Sequence, residues 1–417
     1  MVEFCKISEE IVMQILSRTP PKSLMRFKCI QKSWNSMIND PQFAAKHLHF
    51  YNNPSSSTAF LVKRPVILRS ETSNENVVLS YLRLETYTNG DDEDLHFVVE
   101  DIICPPFKGL KARGQFIELP RRDDSVYIIS HCDGIIFLTL YTGDLFLYNP
   151  AIKEFKIILA SCCHDCCWST VGFGYDLKCK DYIILEIACY GETNYNDPQR
   201  LVVDPPIAAV YTLGIDSWRE IKTDHLQTED TYFWPTAFDL YSKGIFYLFG
   251  YEEKKEFLDD MERCEETNKQ VMILYDTRDE LFHIAMLPDS FNEPACGVHD
   301  IHVALLNKSI ALYGFSIFES IHSIQIWVTD DIRGAQEYSW TKYLSLNPVD
   351  NVRRSLAFWK IDEVLMIAKD GRVVLCNLLT GKLKYFPIHG LHLGDDIQGI
   401  VCVDSIVPLN GRELSRH

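Results

Sequence analysis

Residues 7–48 read ISEEIVMQILSRTPPKSLMRFKCIQKSWNSMINDPQFAAKHL, and this stretch decides how the rest of the chain is interpreted. Apolar residues recur in it at helical spacing, with interruptions at Pro20-Pro21 and at Asp40-Pro41. The pattern therefore predicts three or four short amphipathic helices. A segment of this size is too small to bury a good core of its own. We expect a helical docking module attached to a larger domain.

The first predicted helix begins at Ser8, a suitable N-cap that is followed by two acidic residues and an apolar stripe. The apolar stripes of the three helices are Ile11, Val12, Ile15 and Leu16; Leu24, Phe27 and Ile30; and Trp34, Met37 and Ile38. An ordinary helical cap, with all of these side chains internal, has the same periodicity. Spacing alone leaves both interpretations open.

From about residue 55 onwards, short alternating apolar and aromatic runs separated by turn residues replace the helical pattern. One unit, a strand followed by a polar turn and a second strand, recurs at intervals of roughly fifty to sixty residues. Its five copies are Leu147–Asn149 before Phe155, Val210–Thr212 before Trp218, Leu274–Asp276 before Phe282, Ile326–Val328 before Trp340, and Leu375–Asn377 before Tyr385.

A less regular copy of this unit lies between Ala59 and Val99. The repeat predicts a mainly β fold, a kelch-like β-propeller of about six four-stranded blades. A pair of irregular β-sandwiches is the alternative. We favour the propeller because the unit recurs along the whole length of residues 55–405.

The composition predicts a cytoplasmic protein with free thiols. The 417 residues are 47% hydrophobic, enough for at least one large domain, and neither a leader segment nor an apolar run that could span a membrane is visible. The 14 cysteines include Cys163 and Cys166 at CxxC spacing. No second ligand pair lies near them, so we expect a cysteine-rich turn rather than a zinc site, and we predict no metal and no cofactor.

Charge is distributed unevenly along the chain. Residues 1–50 contain seven Lys or Arg and four Asp or Glu, a net charge of +3 in a chain of −17, which leaves −20 for residues 51–417. An acidic domain attracts basic partners and repels nucleic acid, so we expect no nucleic-acid partner. Many proteins are acidic merely for solubility, and that interpretation is equally open.

Two acidic clusters are candidate contacts for a basic substrate, because recognition is usually placed on loops of a rigid β scaffold. Each could equally be a solvated run of charge. The candidate substrate-binding residues are Asp91, Asp92, Glu93 and Asp94 in the first cluster, which extends to Glu100 and Asp101, and Glu252, Glu253, Asp259 and Asp260 in the second.

Motifs of enzyme chemistry are missing from the sequence. It contains no GxSxG elbow, no Walker loop and no HExxH motif. His131 beside Asp133 and His299 beside Asp300 could be acid/base pairs, but a histidine at a strand end is more often structural. The sequence therefore predicts a non-catalytic protein.

The N-terminal stretch closely resembles the F-box, the motif that ties a substrate receptor to the Skp adaptor of a Skp–cullin–F-box ubiquitin ligase. The opening Leu-Pro of the motif is Ile7-Ser8 here, Thr19 replaces a Leu, and Gln31 replaces a small or β-branched residue. The matching residues are Glu10, Ile15, Leu16, Arg18, Pro20, Lys22, Ser23, Leu24, Arg26, Phe27, Cys29, Lys32, Ser33, Trp34, Ile38, Pro41, Phe43, His47 and Leu48.

The F-box resemblance implies that a Skp-type adaptor, and through it a cullin, binds residues 1–50. The ligase chemistry would then belong to these partners. The implied adaptor-binding residues are Ile11, Ile15, Leu16, Pro20, Leu24, Phe27 and Trp34.

Residues 51–417 resemble the plant F-box-associated domain, which implies a substrate-recognition role for them. The resemblance rests on the segments Ser130–Ile136, Tyr148–Phe155, Gly172–Asp176, Val210–Leu213, Gly244–Tyr247 and Ile326–Val328.

Within that family the chain is most similar to the S-locus F-box proteins of nightshade relatives. This similarity rests on Val171–Asp176, Ala237–Tyr241 and the tail Ile406–Asn410. It implies a receptor in the pollen-tube cytosol that delivers non-self, basic pistil S-ribonucleases to the ligase. A receptor of the same ligase class for another target is the alternative. A propeller enzyme or sugar-binding module with an incidental helical cap is a third interpretation, which the F-box residues disfavour.

Overall fold

The computed structural model of the chain contains four N-terminal helices followed by antiparallel β-sheets. Among the described residues, no helix is both long and apolar enough to cross a membrane. The structure describes residues 8–51, 58–67, 75–89, 92–103, 111–112, 115–116, 126–140, 143–159, 168–194, 197–203, 205–255, 269–292, 298–306, 309–318, 321–329, 339–346, 351–360, 362–388 and 397–409.

The chain divides into two compact units, Met1–Leu159 with Pro387–His417, and Ala160–Phe386. The first unit begins with α1 (Glu9–Leu16), α2 (Pro21–Phe27), α3 (Lys32–Ile38) and α4 (Pro41–Tyr51). Its strands are β1 (Thr58–Ile67), β2 (Glu75–Asn89), β3 (Asp92–Ile103), β4 (Lys111–Ala112), β5 (Gln115–Phe116), β6 (Val126–Cys132), β7 (Ile135–Leu140), β8 (Leu145–Asn149), β9 (Glu154–Ile158) and β28 (Gln398–Val403).

The described strands of the first unit form two four-stranded sheets and the small pair β4-β5. Sheet 1 has the order β28-β1-β2-β3, and sheet 2 has the order β6-β7-β8-β9. The last described strand, β28, therefore takes the first place in sheet 1, where it pairs antiparallel with β1 from Thr58–Val403 to Lys63–Gln398. Ala59 and Leu61 of β1 pack with Ile128, Ile136 and residues of the same two sheets in a buried core.

The second unit contains four further four-stranded sheets and the small pair β12-β13 among its described residues. Sheet 3 is β10 (Trp168–Asp176), β11 (Asp181–Cys189), β14 (Ile207–Thr212) and β15 (Ser217–Ile221), with β12 (Gly191–Asn194) and β13 (Asp197–Val203) inserted. Sheet 4 is β16 (Thr231–Ser242), β17 (Ile245–Lys254), β18 (Lys269–Asp276) and β19 (Leu281–Met286). Sheet 5 is β20 (Val298–Leu306), β21 (Ser309–Phe318), β22 (Ile321–Thr329) and β23 (Thr341–Leu346). Sheet 6 is β24 (Val352–Lys360), β25 (Glu363–Ala368), β26 (Val373–Asn377) and β27 (Leu383–Tyr385). The short helices are a 3-10 turn (Asp224–Leu226) and α5 (Asp289–Asn292).

These six four-stranded sheets confirm the prediction of a mainly β, six-bladed propeller and remove the alternative of two β-sandwiches. The five predicted repeat copies correspond to the third and fourth strands of sheets 2 to 6, although Trp340 lies directly before β23 and not within it. The irregular copy between Ala59 and Val99 corresponds to β1, β2 and β3. It looked incomplete in the sequence because the fourth strand of its sheet, β28, comes from the other end of the chain.

A five-residue turn recurs between strands, and its sequence explains its geometry. It begins with Asp or Asn, whose side-chain oxygen accepts a backbone N–H two or three residues later, and it ends with a residue of positive φ. The accepted N–H groups belong to Ala151 (3.0 Å, to Asn149), Lys178 (2.7 Å, to Asp176), Arg278 (2.9 Å, to Asp276) and Thr380 (2.9 Å, to Asn377). The positive φ angles are 59° at Lys153, 55° at Lys180, 60° at Glu280 and 67° at Gly381.

Two glycines allow the first strands of sheets 3 and 4 to approach each other closely. A Cβ atom on Gly172 would collide with the ring of Phe238, and one on Gly174 would collide with the ring of Tyr241. The Tyr241 hydroxyl donates a hydrogen bond to the carbonyl oxygen of Tyr175 on the same strand as these glycines. The GFGYD motif is therefore a packing requirement between neighbouring blades.

Gly134 supports a prediction about stability because it combines positive φ with close packing. Its φ is +78°, and a Cβ there would lie 2.5 Å from both Ser405 Cβ and Val403 O, whereas Gly143, with φ +81°, faces open space. We expect Gly143→Ala to cost about 1–2 kcal/mol through backbone strain alone. Gly134→Ala should cost about 1–3 kcal/mol more through overpacking against the end of β28.

The difference between these two alanine variants is measured as the shift in the urea-unfolding midpoint relative to the unmodified chain. Equal shifts would contradict the close packing of the β6–β7 turn against the residues that follow β28.

Candidate functional site

The four helices at the N-terminus form the candidate docking site, and local sequence sets their ends. The Ser8 side chain caps α1 by accepting the N–H of Ile11 at 3.5 Å, and Glu9 and Glu10 occupy the first turn. α2 begins at Pro21, where the missing N–H costs nothing. This helix ends at Phe27.

The small core of the helices uses two of the residues predicted to bind the adaptor. Leu16 is 2% exposed and Leu24 is fully buried, packed with Ile38, Phe43 and Ala44. Their side chains are not available to a partner in this structure, so they stabilise the helices instead of presenting a surface. The apolar periodicity could not separate these inward positions from the outward ones on the same short helices.

Two aromatic residues lie at the border of this core. The rings of Phe27 and Trp34 pack edge to face, with centroids 5.7 Å apart, and both side chains are half-buried. They therefore fix α2 against α3 and keep part of their surface exposed to solvent.

The exposed apolar surface of the helices is concentrated at few positions. Ile11 is 51% exposed and Ile15 is 56% exposed, and one helical turn separates them on the same face of α1. Pro20 is also exposed. Ile30, at 64%, is the most exposed large apolar side chain described between α1 and α4, and it was not among the predicted adaptor-binding residues.

Sequence reasoning missed Ile30 because it assigned this residue to the inner stripe of the second helix. α2 ends three residues earlier, so Ile30 lies in the connection to α3, out of phase with Leu24 and Phe27. The signal that could have revealed it is the short length of the helix between Pro21 and Gln31.

A buried histidine joins α4 to the connection between α1 and α2 by a hydrogen bond. His47 on α4 is fully buried, and its Nε2 lies 3.0 Å from the carbonyl oxygen of Thr19. Burial lowers the pKa of His47, and the bond to Thr19 and the charge of Asp404 oppose this effect only in part. The neutral imidazole is therefore the form that the folded helices favour.

The helices also use residues of sheets 1 and 2 to complete their core. Ile406, which follows β28, is 3% exposed in the same cluster as Leu16 and Leu24, and Ile152 from the β8–β9 turn packs against it. The ammonium group of Lys22 on α2 forms an ion pair with Glu100 on β3. The helices therefore pack against sheets 1 and 2 as part of the first unit.

The first acidic cluster lies on a strand and is partly engaged within the protein. Asp91 lies outside the described residues, and Asp92, Glu93 and Asp94 belong to β3, paired with the end of β2. At the other end of the cluster, Glu100 pairs with Lys22. Its neighbour Asp101 accepts hydrogen bonds from Arg64 Nη2 at 2.9 Å and from Ser80 Oγ at 2.7 Å.

The second acidic cluster begins on a strand as well. Glu252 and Glu253 are half-buried at the end of β17, opposite Phe233 and Tyr232 on β16. Asp259 and Asp260 lie outside the described residues. The first cluster therefore begins where β2 connects to β3, the third and fourth strands of sheet 1. The second begins at the end of β17, the second strand of sheet 4, before β18. The two clusters do not occupy equivalent positions in their sheets.

Comparisons with known families agree with this geometry. Residues 4–46 match the model of the F-box domain, and residues 107–393 match the model of the F-box associated beta propeller domain. The chain belongs to the F-box proteins with an F-box-associated β-propeller domain.

Curated relatives from Arabidopsis thaliana align with this chain over most of their length. An F-box/kelch-repeat protein is 26% identical over 347 residues, which cover 81% of this chain and 74% of the relative. A putative F-box protein is 24% identical over 390 residues, which cover 89% of this chain and 88% of that relative. Another putative F-box protein is 23% identical over 354 residues, with 81% and 80% covered.

The candidate metal and acid/base positions of this F-box protein lie only partly in the described part of the chain, which does not include the side chains of His299 and Asp300. Cys163 and Cys166 lie outside it. Among the residues that the structure describes, no three His, Cys, Asp or Glu come together in a way that could hold a metal ion. Part of the His131 residue is exposed, but its Nδ1 is buried and has no hydrogen-bond partner among the described residues.

His131 makes stability depend on pH, because burial lowers its pKa from 6.5 to about 4. Between these values the unfolded chain binds a proton that the folded chain does not, so stability falls as the pH drops from 6.5 towards 4. We expect about 1–3 kcal/mol to be lost from this residue across that window.

The measurement is the urea-unfolding midpoint at several pH values for the unmodified chain and for His131→Phe, which keeps a ring but does not titrate. The variant should lose stability less steeply below pH 6.5, and a residual slope is expected because the pKa of His47 is also lowered. The same change at exposed His225 is the control. Identical slopes in both variants would contradict the burial of a neutral His131.

Proposed function

We propose that this F-box protein is a substrate-receptor subunit of a Skp–cullin–F-box ubiquitin ligase. The observation that carries the proposal is the exposed pair Ile11 and Ile15 on α1, beside a helix core that is complete without them. An apolar face of this kind is stabilised when a partner covers it. The Skp-type adaptor, with the cullin behind it, is the partner that the F-box implies.

The proposed role is binding without catalysis. Residues 1–50 dock the adaptor, and residues 51–417 hold the target, so that the target's lysines are kept at high effective concentration near the charged ubiquitin carrier. Bond formation belongs to other subunits of the ligase. This division at residue 50 concerns function, since the helices share a core with Ile152 and Ile406.

An aspartate on the exposed face of α1 should weaken adaptor binding without destabilising the fold. We expect Ile15→Asp to weaken adaptor binding by at least tenfold, because it places a charge in an apolar contact, and to leave the unfolding midpoint nearly unchanged. Leu16→Asp should instead lower stability, since Leu16 is 2% exposed. Both effects are read from a binding titration with purified adaptor and from urea unfolding.

The matched control for Ile15→Asp is Ile215→Asp, the same change at an isoleucine that is 70% exposed in the second unit. It should leave adaptor affinity unchanged. Retained affinity in Ile15→Asp would count against docking through α1.

For the target we propose a basic secreted protein, of which a non-self pistil S-ribonuclease in the pollen-tube cytosol is the specific candidate. The net charge of −20 outside the first fifty residues supports a basic target. A different target of the same ligase class is the second candidate. The engagement of Glu100 and Asp101 in internal bonds favours it, because these carboxylates are then less available to a basic protein.

Charge reversal at Glu252 and Glu253 tests the choice of target. With both changed to Lys, we expect association with a basic S-ribonuclease to slow by about three- to tenfold at low salt, with the difference disappearing at high salt. Glu220→Lys, an exposed position on β15, is the control. Association rates are measured by surface plasmon resonance. If the double Lys variant associates at the rate of the original chain, this cluster is excluded as the docking face.

A further inference from the structure

Six residues that follow β28 link both sheets of the first unit to the F-box. Four of the six residues of this tail segment, Asp404–Leu409, are buried, with exposed fractions of 4% at Asp404, 0% at Ser405, 3% at Ile406 and 0% at Leu409, whereas Val407 is half-buried and Pro408 is exposed. Such burial is unusual for irregular backbone, whose polar groups must then find partners inside the protein.

One side chain of sheet 2 provides hydrogen-bond partners for two backbone carbonyl groups of the tail segment. Asn149 is fully buried, and its Nδ2 donates to the carbonyl oxygens of Ser405 at 3.2 Å and Val407 at 2.9 Å. Its Oδ1 accepts the N–H of Ala151 at 3.0 Å, which holds the β8–β9 turn. One amide thus fastens the tail segment to the turn.

Further bonds fix the two ends of the tail segment. The hydroxyl of Tyr81 on β2 donates to Asp404 Oδ1 at 2.6 Å. At the other end, the N–H of Leu409 donates to Glu154 Oε2 at 2.8 Å. The segment is therefore held by sheet 1 at its start and by sheet 2 along the rest of its length.

From this fixed backbone, the side chain of Ile406 reaches the core of the helices. Ile406 is buried in the F-box core with Leu16, Leu24, Ile38 and Phe43. The F-box core is too small to be self-sufficient, so a side chain contributed by the sheets both stabilises it and determines where it sits.

We propose that the tail segment sets the position of the F-box on sheets 1 and 2, with Asn149 as the positioning residue. The inference rests on the proposed docking of the adaptor, and it adds that the docking face is presented in a fixed orientation instead of on a flexible tether. A fixed orientation limits which lysines the ubiquitin carrier can reach.

Asn149→Asp tests the proposal with a nearly isosteric change. The aspartate keeps an acceptor for the Ala151 N–H but loses the donor to Ser405 and Val407, and its charge faces two carbonyl oxygens. The variant leaves the apolar contacts of the F-box helices intact. Asn377→Asp makes the same change in the equivalent turn of sheet 6, where Asn377 bonds Asp362 and Thr380, and is the control.

The first readout is hydrogen–deuterium exchange on the full chain alone. We expect the amides of α1–α4 to exchange about tenfold faster in Asn149→Asp, with β6–β9 little changed, and no effect on α1–α4 from Asn377→Asp. Should Asn149→Asp accelerate both regions, Ile406→Ala decides, because it does not alter the turn: faster exchange in α1–α4 supports the proposal. Unchanged exchange in α1–α4 overturns it.

The second readout is the set of the chain's own lysines that become modified in a reconstituted ligase, mapped by mass spectrometry. A positioning role predicts that Asn149→Asp broadens this set, whereas a role in packing alone leaves it unchanged and overturns the proposal. If the chain without substitutions does not bind the adaptor, the proposed function is contradicted. The hydrogen–deuterium exchange result would still decide whether the tail segment positions the F-box.

Discussion

The pairing of β28 with β1 is the interaction on which the rest of the first unit depends. It joins residues 58–63 to residues 398–403, so sheet 1 is complete only when the two ends of the β domain meet. Loop closure over such a distance is entropically costly and is recovered only by the core that the pairing buries. The same pairing delivers the tail segment to the helices, and with it Ile406 to their core. Completion of sheet 1 therefore also places Ile406 where it completes the F-box core.

The charge of the chain illustrates how composition and local structure can differ. A net charge of −20 outside the F-box suggests an acidic surface. The first acidic cluster nevertheless contributes Glu100 to a pair with Lys22 and Asp101 to bonds with Arg64 and Ser80. These two carboxylates therefore form ion pairs and hydrogen bonds within the chain. Lys22, a residue of the F-box motif, thus also contacts β3, so its presence in the motif does not by itself indicate contact with a partner.

The repeat in the sequence predicted the number of sheets because sheets 2 to 6 contain the same local unit, a strand, a turn and a second strand. The turns after Asn149, Asp276 and Asn377 begin with a side chain that bonds the backbone within three residues, and such signals do not depend on distant contacts. Sheet 1 was harder to recognise, since its strands come from both ends of the chain and no local window contains them all. The helices were predicted correctly for a similar reason, through Ser8, Pro21 and the apolar spacing.

By itself, the sequence determined the type and order of the elements, the F-box motif, and the absence of familiar catalytic motifs, because these depend on residues close together in the chain. Only the tertiary structure decided which apolar residues face outward. Ile11 and Ile15 are exposed while Leu16 and Leu24 are buried, although the sequence placed all four on the apolar stripes of the predicted helices. Ile406 belongs to the F-box core although more than 360 residues separate it from the helical residues of that core in sequence. Burial depends on what packs against a side chain, and here that neighbour comes from the far end of the chain.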